Sequence, residues 1–199
     1  MNAIILAAGL GSRLHPHTID RPKSMLEFGG QTLLGRLIKT FQNSGINDIT
    51  VVTGYKSEKI NLPNVNYIKN KFFRETSTLE SLICAKEKIN DSTIISYSDI
   101  IFQNNILKKL IETEHEISIV VDKQWLKYWK KRTTESVTDA TESVCFNNEG
   151  FLSSIGQPIK NLDNANGHFI GLMKTQGNGS KLLLKFIEKQ INERKKSLQ

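Results

Sequence analysis

Cysteine is scarce in this chain of 199 residues. Cys84 and Cys145 are the only two, too few to frame a disulfide scaffold or a zinc site. They read as reduced thiols, one buried on a helix and one in a strand. Long apolar runs are missing too: no stretch approaches the roughly 20 apolar residues that a membrane-crossing helix requires. Met1 leads straight into an apolar strand, which leaves no room for a secretory signal. A cytoplasmic protein with no membrane partner is the expectation. Histidine is sparse and scattered, at His15, His17, His115 and His168; these form no metal constellation, and none is expected to serve as a catalytic base. Internal repeats, linkers and low-complexity tracts are absent as well. With 38% apolar and 24% charged residues, the chain reads as one globular domain over 1–199, long enough to bury a substantial core.

Acid is missing from one particular stretch. Lys123, Lys127, Lys130, Lys131 and Arg132 stand in ten residues without a carboxylate, Arg194-Lys195-Lys196 lies near the C-terminus, and the formal net charge is +7. Such stretches bind phosphate backbones, but a positive field also steers small polyanionic substrates inward, and many of these lysines simply face water. No nucleic-acid partner is expected.

The first 26 residues carry the strongest signal. The apolar run Ala3-Ile4-Ile5-Leu6-Ala7-Ala8 opens directly into Gly9-Leu10-Gly11-Ser12-Arg13-Leu14, with Arg21-Pro22-Lys23 shortly after. A short β-prone run suits a buried parallel strand, and two glycines one residue apart let the next loop aim backbone N–H groups at phosphate oxygens. Arg13 offers a planar fork for two such oxygens and Lys23 a flexible point charge. A bare Gly-x-Gly is weak, since many glycine pairs are only turns. The combination of strand, glycines, Arg and Pro-Lys makes a long basic loop that a turn does not require. A Walker loop would close on Gly-Lys-Ser/Thr, and the dinucleotide fingerprint would have a third Gly opening a helix; Arg13-Leu14-His15-Pro16 fits neither.

Further along, Leu34, Leu37, Ile38 and Phe41 mark an amphipathic helix that stops at Gly45, and 48–53 and 64–68 read as strands. Strand, helix and strand in that rhythm argue for a parallel sheet with right-handed crossovers. Ser77 and Glu80 have the spacing of a capping box at the start of another helix. Two readings stand for Ser77, a cap and a ligand contact. Residues 93–97 form a buried strand ending in Ser98-Asp99, where Asp99 could hold a metal ion or cap the next helix. Strands follow at 117–121, 143–146, 152–155 and 168–173, with a hairpin turn at 147–150 and another turn at 161–167. A basic aromatic helix spans 122–132. Leu182, Leu183, Phe186, Ile187 and Ile191 mark a terminal helix. The elements thus fall into three stretches, 1–121, 122–175 and a terminal helix over 176–199.

The stretch Leu6-Ala7-Ala8-Gly9-x-Gly11-Ser12-Arg13-Leu14-x-Pro16-x-Thr18 with Arg21-Pro22-Lys23 resembles the signature of nucleotidyltransferases that activate small phosphorylated compounds. Val120-Val121-Asp122, Trp125, Trp129, Arg132, Asp139-Ala140-x-Glu142 and Ile155-Gly156 resemble the cytidylyltransferase branch acting on phosphocholine, 2-aminoethylphosphonate or phosphoglutamine. The likeness covers 1–175. It implies an α/β, Rossmann-like three-layer fold with a mostly parallel central sheet and a small β-rich extension. It also implies CTP as substrate, Mg²⁺ (with Mn²⁺ as substitute) as cofactor, a monomer or homodimer, and products that decorate surface polysaccharide or lipid. Nucleotide contacts are implied at Leu6, Ala8, Gly9, Leu10, Gly11, Ser12 and Arg13, at Gly54 and Tyr55, at Thr76, Ser77 and Thr78, and at Ser98. Arg13 and Lys23 are the implied catalytic cations and Asp99 the metal ligand. The family pattern has Asn at Ser77 and Gly at Ser98. It also has a terminal Glu-Ile/Val-Asp whose Asp completes the metal site; no such triad occurs here, and the alternatives are a shortened chain, another group such as Asp139 or Asp163 in its place, or a metal held by Asp99 and the nucleotide alone.

For the acceptor, Asp122, Trp125, Trp129, Arg132, Asp139 and Glu142 are the candidates. Trp125 and Trp129 lie four apart on one helix face, where two indoles could flank a cation, although an aromatic stripe at that spacing also describes core packing. The mixture of lysines, Arg132 and acids favours an acceptor with both a carboxylate and an ammonium, which puts phosphoglutamine ahead of the other two. A sugar-phosphate nucleotidyltransferase using UTP or dTTP, a non-catalytic nucleotide-binding protein and a basic nucleic-acid module are the competing readings.

Overall fold

The apolar N-terminal run forms β1 (Asn2–Ala7), buried along its whole length. The computed structural model, which describes residues 1–75, 77–127, 142–157 and 165–197, places this strand between two parallel neighbours. Numbered in chain order, β2 (Glu27–Phe28) and β3 (Gln31–Thr32) form a small antiparallel pair. β4 (Ile49–Thr53), β5 (Asn66–Lys69) and β6 (Ser92–Tyr97) complete a parallel array in the order β5-β4-β1-β6. The remaining strands are β7 (Ile117–Asp122), β8 (Ser143–Phe146), β9 (Leu152–Ile155) and β10 (Gly167–Gln176). Helices among the described residues are α1 (Leu33–Asn43), α2 (Thr78–Cys84), α3 (Asn104–Glu112) and α4 (Asn178–Ser197). The architecture is mixed α/β with a mostly parallel central sheet, as expected.

Two units emerge from the packing. The first joins residues 1–118 to 173–199, and the second comprises 119–172. In the first, Ile4, Leu6, Val52 and Ile95 pack with Leu82, Ala85 and Ile89 around α2 and with Ile187 of α4. Alternation along the strands sends Ala3, Ile5, Val51 and Ile94 to the opposite face, and all four are fully buried, so the sheet is covered on both sides. Each buried Ile, Leu or Val side chain contributes about 1.5–3 kcal/mol. Even the polar start of β1 is accommodated: Asn2 donates to the Lys88 carbonyl (2.6 Å) and accepts from Thr93 Oγ1 (2.9 Å).

The expected amphipathic helix is α1, with Leu34, Leu37, Ile38 and Phe41 buried and Thr32 Oγ1 capping Gly35 N at 3.1 Å. Chain reversal follows at Gly45, whose φ of +84° lies where a side chain would strain the backbone. In the second unit, β8 pairs antiparallel with both β9 and β10, and β7 pairs with β10. The hairpin at 147–150 is present, with Asn147 Oδ1 accepting from Glu149 N (3.1 Å) and Phe151 N (2.9 Å).

Two expectations need correction. Cys84, expected to be buried on its helix, is exposed at the end of α2. β10, expected to stop at residue 173, continues to Gln176. The polar Lys174-Thr175-Gln176 looks like a strand end, but Lys174 is buried because its ammonium donates to the carbonyls of Ile111 (2.8 Å) and Thr113 (2.6 Å) at the end of α3. Residues 161–164 of the turn expected at 161–167 and residues 128–132 of the helix expected over 122–132 lie outside the described residues; of that helix, 125–127 are described and helical. No helix among the described residues is long and apolar enough to cross a membrane.

Candidate active site

At the carboxyl ends of β1 and β6 the chain leaves a cleft of about 340 Å³, within the range of small-molecule sites. Every described residue lining it belongs to the first unit. One wall is the end of β1 with its loop, from Leu6 to Gly9 and then Gly11. A second comes from two 3₁₀ turns carrying Arg13 and Leu14, then Lys23 and Ser24. A third is Phe73 with Ser77, Thr78 and Ser81, and a fourth is Tyr97, Ser98 and Asp99.

The two loop glycines have different reasons for being glycine. Gly11 has a φ of +66°, and a Cβ there would lie 3.0 Å from Lys23 Cβ and 3.4 Å from Thr18 Cγ2, so this turn is packed. Thr18, fully buried, ties it down by donating to the Gly11 carbonyl at 2.9 Å. Gly9 lacks a positive φ, and a Cβ there would meet no atom of the described residues within 4 Å. Neither backbone strain nor packing requires glycine at that position. What a side chain would occupy is open space at the cleft, as a cradle for a ligand demands.

Charge converges on the same place. Lys23 Nζ forms an ion pair with Asp99 Oδ2, with both side chains about one-third exposed or less, at 31% and 27%. Asp99 is the only acid among the described residues that line the cleft. Arg13 is exposed at the cleft and makes no ion pair with a described residue. Arg21 is engaged elsewhere: its guanidinium grips Asp20 through two bonds of 3.1 and 3.0 Å, which holds the Asp20 carboxyl below its ordinary value.

The capping box at Ser77 is formed, with Glu80 accepting from both the backbone N–H and the hydroxyl of Ser77. Ser77 is thus a cap that also lines the cleft. Gly54 and Tyr55, expected to contact nucleotide, stand behind the wall. A Cβ on Gly54 would fall 2.7 Å from both the Ala8 carbonyl oxygen and Phe73 Cβ, so glycine there lets two strand ends approach. Tyr55 N donates to the Ala8 carbonyl (3.1 Å), its hydroxyl donates to the Ile19 carbonyl (2.8 Å), and its ring lies 6.2 Å from that of Phe73. Leu10 and Ser12 are not among the lining residues. Thr76 lies outside the described residues.

Sequence reasoning missed Ala7, Leu14, Ser24, Phe73, Ser81 and Tyr97 in the lining. For Ser81 a signal existed, since 77, 78 and 81 share one helix face. Phe73 has no local signal. It is set by Asn70, which is buried, receives Phe72 N (3.0 Å) and donates to Ser81 Oγ (3.2 Å).

Of the acceptor candidates, Trp129, Arg132 and Asp139 lie outside the described residues. Trp125 is only 2% exposed and its ring lies 5.7 Å from that of His168. At that burial its indole presents no open face to a cation. Asp122 Oδ1 accepts from Gln124 N at 2.7 Å, closing a local turn. Glu142 is half-buried, and its carbonyl accepts from Phe169 N at 2.9 Å.

A divalent metal fits the donor set in one way. No group of three or more His, Cys, Asp or Glu side chains gathers among the described residues, so a cage made by the protein alone is not offered there. Mg²⁺, however, is commonly held by one or two carboxylates together with substrate phosphates, and Asp99 supplies one such carboxylate beside the phosphate-type loop.

An N-terminal strand with a glycine loop, two cations and an acid at the carboxyl end of a parallel sheet defines a nucleotide-handling α/β domain. The chain belongs to the family of MobA-like NTP transferase domains, whose model matches residues 3–155. Over 185 residues it is 37% identical to CTP:phosphoglutamine cytidylyltransferase of Campylobacter jejuni, covering 87% of this chain and 72% of that protein. It is 33% identical to choline-phosphate cytidylyltransferase of Streptococcus pneumoniae over 108 residues, 52% of this chain and 47% of that one. The solved structure of the CTP:phosphocholine cytidylyltransferase of Streptococcus pneumoniae superposes with a TM-score of 0.69 over 96% of this chain and 78% of the other, at 21% identity, a likeness of fold.

Proposed function

We propose that this chain transfers the cytidylyl group of CTP to a small phosphorylated amine or amino acid, phosphoglutamine first among them, and releases pyrophosphate. The observation that carries the reading is the meeting of Lys23 and Asp99 in a cleft whose loop leaves open space at Gly9. The family and the 37% identity to the Campylobacter enzyme support it.

In this reading an acceptor phosphate oxygen attacks the α-phosphorus of CTP in line with the departing pyrophosphate. The acceptor is already an anion, so the protein supplies neither a nucleophile nor a base. Its task is to hold two anions together and to neutralise the charge that builds at phosphorus. Lys23 binds the α-phosphate and the incoming oxygen; Arg13 covers the leaving β- and γ-phosphates. Asp99 is the residue that would hold Mg²⁺ or Mn²⁺, which when bound would neutralise phosphate oxygens. Burial of Trp125 favours the amino-acid phosphate over phosphocholine, because a quaternary amine depends on open aromatic faces, whereas the basic segment and the acids at Asp139 and Glu142 suit a group bearing both charges. The CMP conjugate would serve surface polysaccharide or lipid decoration from the cytoplasm.

The test is pyrophosphate release with each nucleoside triphosphate against phosphoglutamine, 2-aminoethylphosphonate, phosphocholine and sugar phosphates. CTP with phosphoglutamine is expected to give the highest kcat/KM. A tenfold advantage for phosphocholine would overturn the acceptor, and turnover only of UTP or dTTP with a sugar phosphate would overturn the reaction class.

A further inference from the structure

The basic C-terminal segment finds one specific use in the fold. Glu80 is the third residue of α2 and its carboxylate is divided between two tasks. Oε2 accepts from the backbone N–H of Ser77 at 2.7 Å and from the Ser77 hydroxyl. Oε1 forms an ion pair with the Arg194 guanidinium of α4. The Glu80 side chain is only 12% exposed while that of Arg194 is 48% exposed, so the carboxylate is largely shielded from solvent and the guanidinium reaches it from the surface. Ser77 lines the cleft. A carboxylate therefore stands in direct contact with the wall of a site that takes a polyanion, neutralised by a cation, Arg194, from the distant helix α4.

We propose that Arg194 is a positioning residue for the nucleotide: by pairing with Glu80 it fixes Ser77 in the cleft wall and cancels a negative charge that would repel the triphosphate. The inference rests on the nucleotide reading of the cleft. Its physical basis is twofold. A side chain held at both oxygens has one rotamer, so the wall is ordered before ligand arrives and less ordering cost falls on binding. Without the guanidinium, Oε1 loses its anchor, so Glu80 holds Ser77 less firmly and carries an uncompensated charge beside the site. The packing of α4 does not depend on this pair, since Ile187, Leu183, Leu184 and Ile191 hold the helix against the sheet.

Affinity for CTP in the presence of Mg²⁺, measured by calorimetry on the full chain, tests it with Arg194→Ala, Arg194→Lys and the double variant Arg194→Ala/Glu80→Gln. Arg194→Ala is expected to weaken binding about tenfold with kcat within about twofold of the parent. Arg194→Lys should keep most of the affinity. The double variant should regain it, because the glutamine oxygen still accepts the Ser77 N–H but carries no charge. Two results overturn the proposal: an Arg194→Ala affinity within twofold of the parent, whatever the melting temperature does, or a loss that Glu80→Gln fails to recover. If the parent binds a different nucleotide, the base assignment is wrong and the same cycle with that nucleotide decides Arg194. A parent that binds none removes both readings.

Discussion

The cleft of the first unit and the described part of the second use their polar and aromatic groups in opposite ways. Around the cleft, groups are left available: Arg13 is exposed with no ion-pair partner among the described residues, and Gly9 keeps space open among them. In the second unit the expected acceptor groups are engaged with their own neighbours, Trp125 with His168 and Asp122 with Gln124 N. Polar groups held back from the protein's own structure mark a binding surface, since leaving them unmatched costs stability that a ligand can offset. Aromatic and acidic residues at suggestive spacing mark one only when the fold leaves a face open.

The comparison breaks most sharply at Trp125. A fully buried indole removed to alanine costs about 3–5 kcal/mol, so Trp125→Ala should lower the denaturation midpoint severely while Trp125→Phe retains most of the stability. Equal stability of the alanine variant, with a selective loss of affinity for the acceptor, would make Trp125 a ligand wall after all.

On the other side, Lys23→Ala and Asp99→Asn should each raise the barrier by about 2–4 kcal/mol, the scale of losing one charge-stabilising donor. Because the pair is partly exposed, the melting temperature should change little. Single-turnover rates on well-folded variants decide: rates near the parent's would remove both residues from the chemistry.

Gly54→Ala sharpens the boundary between lining and support. Its methyl group would strike the Ala8 carbonyl and Phe73, an overpacking cost of about 1–3 kcal/mol. Thermal stability and nucleotide affinity should fall together, since the collision pushes the β1 loop and the Phe73 wall apart. A loss of affinity at unchanged stability would instead show a direct contact at Gly54.

These cases show what was legible beforehand. β1, α1 and the Ser77–Glu80 box could be read because local rules produce them: an unbroken apolar run, a 3.6-residue stripe, a cap with its partner three residues on. The phosphate-type loop was legible from glycines and cations at fixed spacing. What could not be read depends on contacts between distant segments. Phe73 reaches the cleft through the bonds of Asn70, Lys174 extends β10 by capping a helix 60 residues earlier, and Gly54 is a spacer only because Ala8 and Phe73 meet there. Trp125 was ambiguous because helical periodicity says which face a residue occupies and nothing about what covers it.

The smallest effect belongs to Tyr55, and it separates support from contact most finely. Tyr55→Phe keeps the ring beside Phe73 and deletes only the hydroxyl that holds the Ile19 carbonyl. Because that bond is exposed to water, its loss is worth about 0.5–1.5 kcal/mol, or roughly 1–6 °C in melting temperature for a chain of this size. The consequence should appear in the loop before it appears in binding: amides of residues 12–24 should exchange with solvent faster, while affinity for CTP falls by no more than about threefold, because Thr18 still clamps Gly11 from within the loop. A tenfold loss of affinity with unchanged amide exchange would mean that the hydroxyl touches the nucleotide itself, and Tyr55 would move from behind the wall into the site.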